Sequence, residues 1–173
     1  MDWKNRSAYV FIKTHEGKAN EVWQRFQNWD NIIGTWIETG DWDVIAWFDA
    51  KDLDTIHNCV DTIKGWNEVD YTSSHMAYSG YKKDNWWWEK PAGTWVLLRD
   101  DKISQTTEKI KNWDWATSGS SIPGEWDYIA WIQGNNWDEV WNHLLEMKNT
   151  NWQTMTQVPI KSWWNQKWKD NWW

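Results

Sequence analysis

The sequence predicts an α+β protein built from two ferredoxin-like βαββαβ repeats that pack as a pseudo-dimeric α+β barrel. The first observation is a duplication, because TGDWDVIAWFDAKDLDTI at 39–56 aligns without a gap with PGEWDYIAWIQGNNWDEV at 123–140. The second is that both copies show the same order of alternating apolar strands and amphipathic helices. The third is the length of 173 residues, since two such repeats are each marginal alone and are expected to share a core.

Four strands and two helices are predicted in the first copy. Alternating apolar residues indicate strands at 7–14, 32–38, 42–49 and 67–76. Apolar residues at helical spacing indicate one helix that begins at Ala19 and ends near Asn28, and a second between Asp52 and Gly65. A tight turn at 39–41 makes the second and third strands an antiparallel hairpin.

The second copy repeats this order. We expect a strand at 94–100, a helix through Ile103 and Ile110, a hairpin closing at Pro123 and Gly124, a further helix and a last strand at 151–158. The predicted domain limits are 1–78 for the first repeat, 79–93 for a Trp-rich linker, 94–159 for the second repeat and 160–173 for a Trp-rich C-terminal tail.

Charge and cysteine content exclude several classes of protein. The formal net charge is −7, which repels phosphate backbones, so duplex DNA is not an expected partner. A single cysteine excludes an internal disulfide and a multi-cysteine zinc site. No apolar run of about 20 residues and no secretory signal is found, so we expect a cytoplasmic protein without a membrane span.

Two stretches, AYVFIKTHEGKANEV at 8–22 and the segment 39–56, resemble the effector-binding (RAM) domain of the Lrp/AsnC family of archaeal and bacterial regulators. The resemblance extends from Ser7 to about Tyr78 and weakens in the second copy, where GNNWD replaces AKDLD. Family regulators carry an N-terminal helix-turn-helix, whereas only MDWKNR precedes the first strand here. The resemblance therefore implies a stand-alone effector-binding and oligomerisation protein, acting through a ligand or a partner.

In this family the turn between the second and third strands helps to hold small effectors, often amino acids. Carried over by position, the implied ligand-binding residues are Thr39, Gly40, Asp41 and Asp43 in the first copy, and Gly124, Glu125 and Asp127 in the second. Backbone N–H groups exposed by glycine, with a nearby carboxylate, would bind an amino acid. The alternative is a plain hairpin turn whose Asp side chain satisfies turn amides. Under the first interpretation, alanine at Asp43 and Asp127 should abolish binding.

An enzymatic function is the less expected alternative. The histidines show no spacing that places two metal ligands on one helix face, and hydrolase and phosphate-binding motifs are absent from the sequence. Barrel enzymes similar to chlorite dismutase hold haem through a histidine, which makes His143 the candidate in a haem-dependent alternative. Barrels similar to antibiotic monooxygenases need only an apolar pocket. Cys59 is expected to be inert, and we expect no cofactor, metal site or catalytic residue.

Tryptophan is unusually abundant, with 23 residues against five Tyr and three Phe. Indole suits interfaces, so we expect a homo-oligomer assembled through strand edges and Trp-covered surfaces. The residues expected to take part in assembly are Trp86, Trp87, Trp88, Trp163, Trp164, Trp168 and Trp172.

A helical tail would place Trp164, Trp168 and Trp172 on one face. Such a tail could also lie on a membrane surface, stack on single-stranded nucleic acid or sugar, or fold over the second repeat. A structural subunit without a ligand is the remaining alternative.

Overall fold

The computed structural model describes residues 6–83, 90–100 and 102–167. The first repeat contains β1 (Arg6–Thr14), α1 (Ala19–Phe26), β2 (Ile32–Thr39), β3 (Val44–Ala50), α2 (Leu53–Lys64) and β4 (Val69–Ala77). A short strand, β5 (Ser79–Lys82), follows it. The second repeat contains β6 (Ala92–Arg99), α3 (Ile103–Lys111), β7 (Ala116–Ser121), β8 (Tyr128–Gly134), α4 (Trp137–Lys148) and β9 (Gln153–Trp164). The predicted fold class, α+β with two βαββαβ repeats, is confirmed.

The described residues form two compact units whose limits differ from those of the repeats. The first unit contains residues 6–76 and 159–167, and the second contains residues 77–83, 90–100 and 102–158. The strand β9 is therefore divided between the two units. The predicted domain limits follow the duplication in the sequence, whereas the compact units follow the pairing of strands.

In the first unit the strand order is β4-β1-β3-β2, with the end of β9 next to β2. The pairs β1/β3 and β2/β3 are antiparallel, with Tyr9 opposite Trp47 and Trp36 opposite Ile45. In the second unit the order is β9-β6-β8-β7-β5. Each repeat thus places its own four strands in the order fourth, first, third, second, which is the split βαβ arrangement.

Each unit has a core between its helices and one face of its sheet. In β1, Ala8, Val10 and Ile12 belong to the core of the first unit, whereas Tyr9 and Phe11 point to the opposite face because strand side chains alternate. The helices α1 and α2 bury stripes at helical spacing, such as Val22 and Phe26 in α1. The second unit has an equivalent core.

The second helix of each repeat begins with the same kind of cap. The Asp52 carboxylate accepts a hydrogen bond from the Thr55 backbone N–H at 2.8 Å, and the Asn136 side-chain oxygen accepts one from the Glu139 N–H at 2.9 Å. Each cap satisfies an N–H group that has no partner within the helix. Gly65 follows the last residue of α2, as the sequence predicts.

Two segments are more regular than the sequence suggests. Residues 79–82 of the expected linker form β5, because Tyr81 is buried in the second core and donates a hydrogen bond to the Ala116 carbonyl at 3.0 Å. Residues 160–164 of the expected tail belong to β9, so the helical alternative is wrong there. Trp163 packs on the first core, while Trp164 meets Trp36 on the opposite face at 4.6 Å between ring centroids. Neighbours on opposite faces require the period of a strand.

Candidate ligand-binding site

The turn between β2 and β3 lies at the edge of the first unit and is exposed to solvent. Thr39, Gly40 and Asp41 are all exposed, and Gly40 has a φ of 139°, a conformation that side-chain-bearing residues rarely adopt. The equivalent Gly124 in the second unit also has a positive φ, 156°. The sequence therefore correctly predicts two glycine-dependent turns, and residues 39–41 and 123–125 are all exposed.

Asp43 has a structural role in this turn. Its carboxylate accepts hydrogen bonds from the Thr14 backbone N–H at 2.8 Å, the Thr14 hydroxyl at 3.2 Å and the Lys13 ammonium at 2.9 Å. The hydrogen bond to Asp43 raises the pKa of Lys13. Asp43 thus fastens the end of β1 to the turn, and these bonds already use the carboxylate that was expected to receive a ligand.

Asp127 has the same role in the second unit. It accepts a hydrogen bond from the Asp100 backbone N–H at 3.0 Å, at the end of β6. Glu125 is engaged as well, because Arg99 donates to its backbone carbonyl at 2.6 Å and contacts its carboxylate at 3.4 Å. The Arg99 guanidinium also lies over the Trp126 ring, 4.6 Å from the centroid. The second turn is therefore held by its own side chains.

A buried carboxyl lies directly before the first turn, at Glu38. Its side chain is only 5% exposed, and neither carboxylate oxygen has a hydrogen-bond partner among the described residues. Burial raises the pKa of Glu38 well above its ordinary value. Alternation along β2 places Glu38 on the same face as Trp36, opposite the helices. Glu38 is not among the ligand-binding residues that the sequence predicts.

The second repeat has no carboxyl at this position. The backbone N–H of Glu38 donates to the Asp43 carbonyl, and the N–H of Ile122 donates in the same way to the Asp127 carbonyl, both at 2.9 Å. Ile122 is therefore the counterpart of Glu38, and it is fully buried. A carboxyl aligned with an isoleucine in the duplicated segment is the signal that could have revealed this site from the sequence.

Aromatic rings and a histidine occupy the same face of the first unit. Tyr9 stacks on Trp47 with 5.2 Å between centroids, and Phe11 meets the His75 ring edge to face, also at 5.2 Å. His75 is 5% exposed, and its Nε2 atom lies 2.9 Å from the Ser73 hydroxyl oxygen. This face can therefore offer two buried titratable groups within an aromatic surrounding, which is typical of ligand sites.

His143, the candidate haem ligand, lies on α4 and stacks flat on Trp115, with 4.5 Å between centroids and 7° between planes. Burial lowers the pKa of His143, while Glu139 and Glu146 on the same helix oppose that shift. The His143 imidazole is therefore held as a half-buried member of an aromatic stack, which disfavours the role of an axial haem ligand.

The expected assembly residues are only partly within the described chain. Trp163 and Trp164 are half-buried against the first unit. Trp86, Trp87, Trp88, Trp168 and Trp172 lie outside the described residues. Exposed apolar side chains instead follow one another at four-residue steps on α4, at Trp137, Trp141 and Leu145.

The described residues contain neither a candidate metal site nor a candidate membrane-spanning helix. Within residues 6–83, 90–100 and 102–167, no three His, Cys, Asp or Glu side chains come together as a metal site. No helix in the same ranges has the length and apolar character needed to cross a membrane.

The sequence model of the Lrp/AsnC ligand binding domain matches residues 7–87. The first repeat is similar to the Lrp/AsnC ligand binding domain. The resemblance found in the sequence from Ser7 to about Tyr78 is thereby confirmed. The repeat that matches this model contains Glu38 and the exposed turn 39–41. No curated protein matches the sequence.

Solved structures extend the comparison to both repeats. The siroheme decarboxylase NirDL is similar over 92% of this chain and 72% of its own, with 8% identity and a TM-score of 0.66. A mutant chlorite dismutase from Candidatus Nitrospira defluvii is similar over 93% of this chain and 92% of its own, with 6% identity and a TM-score of 0.55. A protein from Thermus thermophilus is similar over 45% of this chain and 99% of its own, with 19% identity and a TM-score of 0.43. The first two comparisons confirm the α+β barrel fold class.

Proposed function

We propose that the protein binds a small amino-acid-like effector through its Lrp/AsnC domain, at the end of the hairpin where Glu38 adjoins the exposed turn 39–41. The observation that supports this most strongly is the buried Glu38 carboxyl without a partner among the described residues. A buried carboxyl without hydrogen bonds destabilises the fold, and a ligand that supplies donors would remove that cost.

Each end of an amino acid would have a complementary group at this site. Its ammonium would ionise Glu38 and form a charge-assisted pair with it. Its carboxylate would accept from the backbone N–H groups of Gly40 and Asp41, which are exposed residues of the turn. Asp43 would hold the turn in place through Thr14 without touching the ligand.

The second repeat supports this assignment by contrast. It has Ile122 in place of Glu38, and its turn residue Glu125 is already paired with Arg99. Of the expected ligand-binding residues, those of the second turn would then serve the scaffold. One binding site per chain is the proposed stoichiometry.

Isothermal titration calorimetry at pH 7, with the free L-amino acids as probes, tests the proposal. Glu38→Gln keeps the size of the side chain and removes its charge, so we expect at least about a tenfold loss of affinity for the best probe. Asp41→Asn should weaken binding less, because Asp41 is exposed. Glu125→Gln is the matched control in the second turn and should retain the affinity of the wild type.

Two results would overturn the proposal. One is the absence of binding heat for every amino acid in the panel. The other is a Glu38→Gln variant that binds the best probe as tightly as the wild type does. If Glu125→Gln then loses affinity, the site belongs to the second turn.

A haem-dependent or cofactor-free oxidative enzyme is the second candidate. It is supported by the similarity of both repeats to structures described as a siroheme decarboxylase and a chlorite dismutase. The surroundings of His143 disfavour the haem version, whereas Glu38 and His75 could transfer protons in a cofactor-free one. We expect no Soret band after haem addition to the purified protein. A Soret band that His143→Ala removes would favour the enzyme.

We also propose that the protein forms a homo-oligomer through α4, where Trp137, Trp141 and Leu145 are 38%, 45% and 59% exposed. Such a stripe of large apolar side chains is typical of interfaces. Light scattering coupled to size exclusion should give a smaller mass for Trp141→Glu than for the wild type. Tyr78→Glu, at an exposed position outside the stripe, is the control and should not change the mass. An unchanged mass for Trp141→Glu would remove α4 from the proposal, and the structural-subunit alternative would lose its described interface.

A further inference from the structure

A cleft on the outer side of the first unit lies between the loop before β2 and the helix α2. Its volume is about 350 Å³. The residues that line it are Trp29, Asp30, Asn31, Thr55, Asn58, Cys59 and Thr62. None of them belongs to the hairpin site, which lies at the other end of β2. We propose that this cleft binds a small, uncharged, planar heteroaromatic ring, at a second site that is independent of the effector site.

The second unit shows what fits into the equivalent space. The shift of 84 residues that carries Gly40 to Gly124 also carries Trp29, Asn31 and Cys59 to Trp113, Trp115 and His143. The backbone confirms this equivalence, because the carbonyls of Asn31 and Trp115 accept from the third strand of their repeats at 2.9 and 3.0 Å.

In the second unit these three rings form a column. Trp113 and Trp115 stack with 4.5 Å between centroids and 19° between planes, and Trp115 and His143 stack with 4.5 Å and 7°. The last ring of the column is itself a planar heteroaromatic group. The space between the helix α4 and the loop before β7 therefore accommodates flat rings.

The first unit keeps the base of this column and lacks its upper rings. Trp29 is present and is fixed by edge-to-face contacts with Phe26 at 5.5 Å and Trp66 at 5.5 Å. The short side chains of Asn31 and Cys59 stand at the positions of the other two rings of the column. The cleft occupies the space that an indole and an imidazole fill in the second unit. A ligand ring would complete the column that the chain itself completes in the other repeat.

The polar lining favours a ring with heteroatoms over a hydrocarbon. Burial raises the pKa of the Cys59 thiol, a side-chain interaction with Asn31 opposes this shift, and Asn58 is exposed on the same side of α2. An asparagine amide offers a donor and an acceptor side by side, which match the ring nitrogen and amino group of a purine edge. The charged lining residue Asp30 pairs with Lys167 at 3.2 Å, so the cleft offers no net positive charge that would bind a phosphate.

The test uses the full chain with adenosine and indole as ring probes and ribose as a probe without a ring system. We expect adenosine to bind in calorimetric titrations, indole to bind more weakly, and ribose not to bind. Asn31→Trp combined with Cys59→His copies the column of the second unit into the first. This variant should fold as the wild type does and should bind adenosine at least about tenfold more weakly.

Matched variants keep this site separate from the effector site. Trp115→Asn with His143→Cys is the reverse exchange in the second unit and should leave binding in the first cleft intact. Glu38→Gln should not change adenosine binding, so failure of the effector proposal and failure of this one are distinguishable.

A chemical readout does not depend on whether the filled variant folds. Cys59 is the single cysteine of the chain, so its alkylation by iodoacetamide can be followed by the mass of the intact protein. Saturating adenosine should slow this alkylation at least about threefold at alkaline pH, because the occupied cleft covers the thiol. The proposal is overturned if neither ring probe binds, if the filled variant binds as well as the wild type, or if adenosine does not protect Cys59.

Discussion

The two repeats agree at positions that hold the backbone and differ at positions where a ligand could bind. Both have a positive-φ glycine in the hairpin, an Asp that fastens the first strand to the turn, and a polar cap on the second helix. They differ at Glu38 against Ile122 and at the pair Asn31 and Cys59 against Trp115 and His143.

This difference shows which features the scaffold itself does not require. Ile122 shows that the fold accepts an apolar side chain where Glu38 is buried, so the scaffold does not require the carboxyl. The stack of Trp115 and His143 shows that the outer space can be filled, so the scaffold does not require the cleft. In both places we expect the residues of the first repeat to be the less stable choice.

Removing the two strand-fastening carboxylates should give the clearest difference in stability between the repeats. Asp43→Ala should lower the free energy of unfolding by about 3 kcal/mol, because it breaks bonds to Lys13 and to two donors of Thr14. Asp127→Ala should cost about 1 kcal/mol, because the carboxylate that it removes fastens the strand through the Asp100 N–H. Urea denaturation measures both values. Equal losses would show that the turns are not held differently.

Replacing Glu38 by isoleucine, the residue at the counterpart position 122, tests whether the buried carboxyl destabilises the fold. Glu38→Ile should raise the free energy of unfolding at neutral pH by about 2 kcal/mol, because it removes a buried polar group without partners among the described residues. Since burial raises the folded-state pKa above the ordinary 4.5, wild-type stability should fall as pH rises from about that value through the folded pKa.

The Glu38→Ile variant should lose this part of the pH dependence. Denaturation curves between pH 4 and 9 would reveal it. A variant less stable than the wild type at pH 7 would mean that Glu38 has a partner in the folded protein, and the effector proposal would lose its main support.

The helix caps allow a finer comparison. Asn136→Ala should lower stability by about 1 kcal/mol at every pH, because the cap is neutral. The hydrogen bonds from Thr55 lower the pKa of Asp52, so its contribution should be present above the unfolded pKa and be lost as pH falls through the folded value. The effect of Asp52→Ala should therefore disappear in acid, as measured by thermal melts. A pH-independent effect would contradict the charged cap.

The smallest expected effect concerns the imidazole of the column. Burial lowers the pKa of His143, and Trp115 covers one face of its ring. Trp115→Asn should expose the ring and move this pKa upward, toward its usual value. An NMR titration of the His143 ring protons measures the shift. An unchanged pKa would show that other contacts bury the ring.

The sequence was sufficient for the architecture because the duplication and the periodicities are local signals. The helix ends at Asp52 and Gly65 and the two hairpin turns follow from residue type alone. The end of β9 did not follow, because Trp163 and Trp164 become strand residues through contacts with a repeat more than a hundred positions earlier in the chain. Tertiary packing overrides local preference there.

The site was predicted only in part, for a related reason. Residue type identified the exposed turn, but it could not show that Asp43 and Asp127 are occupied by backbone donors at the ends of β1 and β6. In the sequence, Glu38 is a polar residue at the end of a strand. Only the folded structure shows that its side chain is buried and not exposed to solvent. The cleft exists because Asn31 and Cys59 are smaller than Trp115 and His143, their counterparts in the second repeat. The sequence of one repeat alone cannot reveal this difference.

The division of β9 has a consequence for the order in which the protein is made. The ribosome completes the first repeat early, but the strand that borders β2 in the first unit is synthesised after the whole of the second unit. The second unit, residues 77–158, comes from one continuous stretch of nascent chain, so it can acquire all its strands while the first unit still lacks its last one. Translation should therefore release a polypeptide whose first repeat matures last.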